Sequence, residues 1–317
     1  MKQNKTLLFT LFFLLSCGGG GGGGSAPSPV ISQTPTPPSA PPTLSYDELK
    51  AQYEGYYEYQ GQWGLDVVNA SAAYARGATG LGVTIGITDS GLDNTHTEIS
   101  LGRLSGDSDL SYSNYTPNTR QQRHGTMVAS VAAGKQEKSD TSPMHGVAFE
   151  ANVLFIAIQL AEPDPDYDPV DIGTDDGSGT VTDAPDFTGI DNFFSSLFEV
   201  YNQYDVDIVN NSYGYSGNII DYTEAQVRYA FPKTIAEMSQ VGVLDSEKTI
   251  YVWAAGNAGG YADQGVDYFH PELLPGMAYL IPEIQGHSIA AVSIDEDGGL
   301  SDFSSRCGVA QDYCIAA

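Results

Sequence analysis

The chain has 317 residues, of which 41% are hydrophobic, so it is long enough for one large or two small domains, each with a core. It carries 40 acidic residues against 13 Lys and Arg, which gives a formal net charge of −27. This balance excludes nucleic-acid binding, because proteins bind phosphate backbones through basic surfaces.

The first 17 residues have the layout of an export signal. Lys2 and Lys5 precede an apolar stretch over residues 7–15 that is too short to span a bilayer. Leu14-Leu15-Ser16-Cys17 then has the form of a bacterial lipobox, in which cleavage before Cys17 leaves a lipidated amino terminus. The alternative is an ordinary secretory signal with an incidental Cys. Both interpretations predict export, and the first predicts membrane attachment through an N-terminal lipid.

Residues 18–45 have the composition of a tether. Residues 18–24 are an unbroken run of glycine, and a Ser-, Pro- and Thr-rich stretch follows to about Thr43. Such sequences do not bury enough apolar surface to fold, so we expect a disordered linker. The folded domain is therefore predicted over residues 46–317.

Within that domain, short apolar runs alternate with helical patterns. Strands are predicted at residues 83–89, 153–159, 206–211, 249–254 and 288–294, and helices at 66–76, 124–135, 187–204 and 223–241. The strands are apolar on both faces, which is typical of parallel strands covered by helices. The predicted fold class is therefore α/β, a doubly wound, mostly parallel sheet with helices on both faces.

Two polar residues stand at the ends of these elements. Asp89 closes the first predicted strand in V-T-I-G-I-T-D-S-G, and His124 opens a helix of small residues in H-G-T-M-V-A-S. Sites in open α/β sheets are built at the carboxyl ends of strands, where Asp89 emerges. A buried carboxylate there can accept the Nδ1 hydrogen of a histidine, which then acts as a general base. A turn or helix-capping role for Asp89 is the structural alternative. The remaining histidines lack such a partner motif and are interpreted as structural: His96, His145, His270 and His287.

Two further strand ends carry candidate site residues. Asn257 lies in A-A-G-N-A-G-G after an apolar strand, where its side-chain amide could donate to the oxyanion of a tetrahedral intermediate. Ser212, Tyr213 and Gly214 follow another strand, and such an extended segment can pair with the backbone of a bound peptide. The alternatives are an Asn that holds a left-handed turn and a plain strand-end turn.

Two segments of the sequence partly match known motifs, one that of a nucleophilic serine and the other that of a calcium-binding loop. Ser288, in G-H-S-I-A, is followed by an alternating strand pattern, whereas a nucleophilic Ser of this kind should begin a helix. An acidic run over residues 162–191 contains Asp164, Asp166 and Asp168, but its spacing departs from that of a calcium-binding loop. We therefore expect an exposed acidic insertion, with structural calcium as the alternative, and no other cofactor or metal.

From about Gln60 onwards the chain resembles the subtilisin-like serine peptidases, on the Asp89, His124 and Asn257 segments and their order. With the lipobox, the glycine run and S-S-R-C…C-I-A-A, it looks closest to the lipoprotein autotransporter peptidases of Gram-negative bacteria. The resemblance implies Asp89 and His124 as catalytic residues, Asn257 as the oxyanion donor and residues 212–214 as the substrate-binding rim. In an exported protein, Cys307 and Cys314 are predicted to form a disulfide.

The same resemblance implies a catalytic Ser in a Gly-Thr-Ser segment, which the 317 residues do not contain. We therefore expect a monomeric, exported serine endopeptidase, at the outer membrane or cell surface, with polypeptide substrates and a nucleophile that lies beyond residue 317. This fragment alone is expected to be inactive. The alternative is a non-catalytic binding protein on the same fold.

Overall fold

The centre of the domain is a parallel sheet of six strands, within the residues that the computed structural model describes: 44–99, 102–111, 120–138, 144–159, 167–204, 206–240 and 249–317. The predicted signal and all but the last two residues of the predicted tether lie outside these ranges, as does Cys17. The strands of this sheet are β1 (Thr84–Asp89), β2 (Asn152–Ala157), β5 (Ile208–Asn211), β6 (Ile250–Ala254), β7 (Ser288–Val292) and β8 (Cys314–Ala316). Their order is β2-β1-β5-β6-β7-β8, with every neighbouring pair parallel. A separate antiparallel hairpin consists of β3 (Thr174–Asp175) and β4 (Val181–Thr182).

The helices precede the sheet or lie between its strands. They are α1 (Tyr46–Glu54), α2 (Tyr57–Gln60), α3 (Trp63–Val67), α4 (Ala70–Tyr74), α5 (Arg120–Ala133), α6 (Thr188–Gln203), α7 (Glu224–Ala230), α8 (Pro232–Met238) and α9 (Leu273–Leu280). Short 3-10 helices span Ile219–Asp221, Ala258–Gln264, Pro282–Ile284 and Gly308–Tyr313. No helix in the described ranges is both long and apolar enough to cross a bilayer.

Both faces of the sheet are buried, as the apolar strands predicted. Along β2, Val153 and Phe155 point into a cluster with α5, whereas Leu154 and Ile156 point into a second cluster with α6 to α9. Side chains that alternate along one strand therefore fill two cores, which only helices on opposite faces can cover. The predicted doubly wound α/β fold is confirmed.

A glycine in β1 lets one of these helices approach the sheet. A Cβ atom at Gly86 would lie 2.6 Å from Cε1 of Tyr201 on α6. The Tyr201 ring is fully buried, and its hydroxyl is within hydrogen-bonding distance of the Thr88 hydroxyl. Contact between ring and backbone at this point fixes α6 against the strand that ends in Asp89.

Two predicted helices are interrupted in the structure. The prediction of one helix over residues 66–76 was wrong. Two short helices, α3 and α4, occupy this region, because Asn69 between them adopts a left-handed conformation with φ of 54°. The helix predicted over 223–241 breaks between α7 and α8, where Phe231 precedes Pro232. Proline lacks an N–H group and disfavours a helical residue before it, so one helix ends and the next begins there.

The far edge of the sheet was not predicted. Strand β8 pairs with β7 and follows a 3-10 helix, and a disulfide joins Cys307 to Cys314 across that helix. The strand is only three residues long, too short for an alternating or continuous apolar pattern to stand out, which is why the sequence alone did not indicate it.

Candidate active site

The chain reverses its direction of travel across the sheet at β1, because β2 lies on one side of this strand and β5 on the other. Such a switch point opens a crevice at the carboxyl ends of the strands, where α/β proteins bind their ligands. Asp89 is the last residue of β1, and its carboxylate is fully buried. Its Oδ1 accepts hydrogen bonds from the Ser90 backbone N–H at 2.7 Å and the Ser90 hydroxyl at 3.2 Å.

His124 on α5 reaches this carboxylate. The His124 Nδ1 lies 2.8 Å from Asp89 Oδ1, and about two fifths of the histidine side chain is exposed. Helix α5 comes this close because its next residue is Gly125, where a Cβ atom would lie 1.8 Å from the Ser90 carbonyl oxygen. The Asp93 N–H also donates to the Thr126 hydroxyl at 2.9 Å, which fastens the loop after β1 to the same helical turn.

The pair has a defined chemical capacity. With Nδ1–H donating to Asp89, the neutral imidazole presents its unprotonated Nε2 as a base on the exposed side. The carboxylate holds this tautomer and stabilises the imidazolium that forms when Nε2 takes up a proton. The second carboxylate oxygen, Asp89 Oδ2, is buried and has no hydrogen-bond partner within the described ranges.

Asn257 lies after the carboxyl end of β6, two strands away from Asp89 in the sheet order. The chain turns there through Gly256, whose φ of +119° is disfavoured for residues with a side chain. The Asn257 backbone N–H donates to Glu272 Oε1 at 2.8 Å, and its exposed side-chain amide makes no hydrogen bond within the described part of the chain. The amide is therefore available as a donor at the edge where β1 also ends.

The segment after β5 occupies the sheet position between β1 and β6. Ser212 and Gly214 follow Asn211, and the Ser212 hydroxyl accepts a hydrogen bond from Asn210 at 2.9 Å. The Tyr213 ring points back towards the protein, where it stacks on Phe194 with centroids 6.0 Å apart. Burial raises the pKa of the Tyr213 hydroxyl well above its ordinary value. Any peptide contact made by this segment would therefore involve its backbone rather than the Tyr213 ring.

Ser288 lies at the other end of the sheet. It is the first residue of β7 and pairs with Tyr251 near the start of β6, whereas Asp89 is the last residue of β1. The Ser288 side chain is buried, and its hydroxyl has no partner within the described residues. The parallel register therefore separates Ser288 from the edge that carries Asp89 and His124.

Two of the remaining histidines, His145 and His270, contact other parts of the fold. His145 is fully buried beside Tyr74 and Phe149, and burial lowers its pKa. His270 Nδ1 accepts the Val309 N–H at 3.2 Å.

Structural calcium was the alternative hypothesis for the acidic run over residues 162–191. Asp164 and Asp166 in this run lie outside the described residues. Asp175 accepts hydrogen bonds from Thr223 and Gly177 at the β3–β4 hairpin. Across the described ranges, no group of three or more His, Cys, Asp or Glu residues is arranged to hold a metal ion.

Sequence reasoning missed one buried acid at this edge. Glu272 precedes α9 and is 8% exposed, and its Oε1 accepts hydrogen bonds from the Asn257 N–H and the Tyr167 hydroxyl. Burial raises the pKa of this carboxyl, and the two hydrogen bonds partly offset that effect. In P-E-L-L-P-G the residue looks like an acid in the first turn of a helix, a common and uninformative pattern.

Comparison with known families covers most of the domain. The model of the subtilase family (Peptidase_S8) matches residues 80–317, which is more than half of the chain. The protein belongs to the subtilase family of serine proteases. The matched range contains Asp89, His124 and Asn257, and it includes all six strands of the main sheet.

Two matches to relatives of this subtilase carry the name extracellular serine protease, from Serratia marcescens. One is 29% identical over 297 residues, covering 82% of this chain and 24% of the relative. The second is 43% identical over 100 residues, covering 31% of this chain and 9% of the relative. The chain thus spans about a quarter of the length of the first relative.

Solved structures agree with the fold. MycP1 from the ESX-1 type VII secretion system matches with a TM-score of 0.50 at 19% identity, over 80% of this chain and 62% of that one. MycP1 from Mycobacterium smegmatis matches with a TM-score of 0.50 at 17% identity, over 80% and 61%. At these identities the likeness concerns the fold alone.

Proposed function

We propose that this subtilase is an exported serine endopeptidase whose residues 46–317 form most of its peptidase domain. The observation that carries the proposal is the 2.8 Å contact between His124 Nδ1 and the buried Asp89 carboxylate at the carboxyl edge of the sheet. A buried aspartate bonded to a half-exposed histidine is the base half of a serine peptidase triad.

In the proposed reaction, Nε2 of His124 accepts the hydroxyl proton of the nucleophilic serine as its oxygen attacks the peptide carbonyl. Asp89 stabilises the imidazolium, and the Asn257 side-chain amide donates to the oxyanion of the tetrahedral intermediate. His124 then gives its proton to the leaving amine, which leaves an acyl-enzyme. Water, deprotonated by the same histidine, releases the acyl group and restores the serine.

We propose that the nucleophile is supplied by sequence outside these 317 residues. The serines close to the sheet edge already have other partners: Ser90 bonds to Asp89, and the buried Ser305 hydroxyl accepts the Ala258 N–H at 3.2 Å. Ser288 lies at the opposite end of the sheet from Asp89. The 317 residues alone are accordingly expected to hydrolyse no peptide bonds.

The peptide substrate is proposed to lie as an extended strand along residues 212–214. This segment continues β5 between the strands that deliver Asp89 and Asn257, so a peptide paired with its backbone would present a carbonyl to both. Gly214 is exposed, and Tyr213 is anchored by its ring, which holds the backbone of the rim in place.

We further propose that the protein is attached to the outer membrane or cell surface through a lipid on Cys17, as in a lipoprotein autotransporter, and acts as a monomer. The support is the lipobox and the extracellular designation of the Serratia relatives. Mass spectrometry of the membrane-extracted protein should find a lipid-modified amino-terminal Cys17, and the modification should be lost in Cys17→Ala. An unmodified mature chain that begins elsewhere would contradict the anchor.

The peptidase proposal is tested with the protein expressed from its full coding sequence. It should cleave an unstructured polypeptide and be inhibited by a fluorophosphonate, and His124→Ala should abolish both effects. The matched control is His96→Ala, which removes an exposed histidine from the loop after β1. Peptide binding without cleavage in the wild-type protein would instead favour the non-catalytic alternative.

A further inference from the structure

A second carboxylate lies at the same sheet edge as the Asp89–His124 pair, and the proposed reaction does not use it. Glu272 stands directly before α9, and its backbone N–H donates to the Ala255 carbonyl at 2.9 Å. This bond places the side chain under the turn that carries Asn257. The residue occupies the N-cap position of α9, yet its side chain makes no capping hydrogen bond, so capping does not explain an acid here.

The Glu272 carboxylate has no cationic partner. None of the ion pairs within the described residues includes it, and its hydrogen bonds there come only from the Asn257 N–H and the Tyr167 hydroxyl. Both reach Oε1. A carboxylate that is buried without a compensating cation is costly to folding, so such a group is more often found at functional sites than in plain cores.

The two donors orient the carboxylate. With Oε1 held by Asn257 and Tyr167, the second oxygen, Oε2, is turned towards the end of the β5 segment. A Cβ atom at Gly214 would lie 2.7 Å from Oε2, and one at Gly256 would lie 2.3 Å from Cδ. Glycines at these two positions let the Glu272 carboxyl group lie between the proposed peptide-binding segment and the proposed oxyanion turn, with Oε2 on the Gly214 side.

The place of this carboxyl group matters for a peptide bound in the proposed way. A residue whose backbone pairs with Ser212–Gly214 and whose carbonyl reaches Asn257 projects its side chain either to solvent or between these two segments. In the second direction it meets Oε2 of Glu272. A carboxylate without a cation of its own, placed between two glycines, would form a charge-assisted hydrogen bond with a long cationic side chain.

Resting on the proposed peptidase function, we propose that Glu272 is a specificity-determining residue that selects Lys or Arg on the acyl side of the scissile bond. Tyr167 supports it from the other side, where its ring packs on Tyr261 with centroids 4.6 Å apart. Asn257 thereby links the two tasks, since its backbone orients the selecting carboxylate while its side chain faces the developing oxyanion.

The test uses the protein from its full coding sequence and peptides that differ only in the residue before the scissile bond. The wild-type protein should cleave the Lys peptide about 10- to 100-fold faster, as kcat/KM, than the peptide with uncharged norleucine. Glu272→Gln keeps the Oε1 acceptor and should remove this preference while cleavage of the norleucine peptide changes little. Asp263→Asn, an exposed acid in the adjacent 3-10 helix, is the matched control and should keep the preference.

An equilibrium measurement separates this inference from the peptidase proposal. Product peptides that end in Lys should bind the wild-type protein at least about 10-fold more tightly than those that end in norleucine, and Glu272→Gln should equalise them. Loss of cleavage and of fluorophosphonate labelling with this binding difference retained would overturn only the peptidase function. Equal binding and equal cleavage of the Lys and norleucine peptides by the wild-type protein would overturn the role of Glu272.

Discussion

Two buried carboxylates lie at the same edge of the sheet, and their surroundings differ. Asp89 is fully buried against His124, a side chain that becomes a cation when it takes up a proton. Glu272 is almost as deeply buried, but only the Asn257 N–H and the Tyr167 hydroxyl bond to it. One charge has its partner within the chain, whereas the other has none in the described ranges.

The difference indicates what each carboxylate can do. A carboxylate bonded to a histidine orients that ring and stabilises its charged form, so its effect appears in the rate of proton transfer. A carboxylate held by two neutral donors retains most of its negative charge for a third group, so its effect should appear in which ligand is bound. Neutralising Asp89 should therefore change the rate on all substrates, whereas neutralising Glu272 should change the preference between charged and uncharged peptides.

The largest expected effect is that of Asp89→Asn. An amide cannot hold the Nδ1–H tautomer of His124 in the same way, so kcat of the full protein should fall by about 10⁴-fold on every substrate, charged or neutral. Steady-state kinetics on the Lys and norleucine peptides would measure this. A selective loss on the Lys peptide would show that Asp89 and Glu272 had been assigned the wrong tasks.

Asn257→Ala should have the next largest effect. Removing the proposed side-chain donor to the oxyanion is expected to lower kcat by about 10²- to 10³-fold. Because the Glu272 hydrogen bond comes from the backbone of residue 257, the preference for Lys over norleucine should survive the substitution. A loss of that preference with kcat unchanged would place Asn257 in the binding of the side chain instead.

Gly125→Ala tests the packing that brings the first carboxylate and its histidine together. The added Cβ would lie 1.8 Å from the Ser90 carbonyl oxygen, so α5 must move away from β1. We expect a loss of about 1–3 kcal/mol in the free energy of unfolding, measured by denaturant titration. Gly189→Ala on α6, where a Cβ meets nothing within 4 Å, is the control and should not lower the free energy of unfolding, because Ala favours a helix over Gly.

The smallest expected effect is on stability at different pH values. Burial raises the pKa of Glu272, so between the ordinary carboxyl pKa and the raised one the folded protein binds more protons than the unfolded chain. Stability therefore falls as the pH rises through that window. Glu272→Gln should raise Tm at neutral pH, and the gap to the wild-type protein should close as the pH falls below the ordinary carboxyl pKa. A gap of equal size at all pH values would show that ionisation of Glu272 carries no cost.

The sequence predicted five of the six strands of the main sheet and the position of Asp89 at its carboxyl edge, for a physical reason. Strand β1 and the small residues that follow His124 are local patterns, in which apolar side chains and small side chains indicate how each segment packs. The contact of His124 with Asp89 follows from such patterns because parallel strands place their carboxyl ends at one edge. The family resemblance added the order of these segments along the chain.

What the sequence did not predict depends on contacts between distant segments. Glu272 is informative only because Gly214, Gly256 and Tyr167 surround it, and none of these is adjacent to it in sequence. The break at Asn69 has a different, local cause, a left-handed backbone conformation that helical propensity does not single out. The break before Pro232, by contrast, had a local signal that the prediction of a single helix overlooked.

The most direct test of the central claim is the identity of the residue that a fluorophosphonate modifies. The full protein should be labelled once, on a serine outside the first 317 residues, and His124→Ala or Asp89→Asn should suppress the labelling, as read by tandem mass spectrometry. Labelling of Ser288, or labelling that persists in both variants, would contradict the account of the Asp89–His124 pair as the base of the reaction.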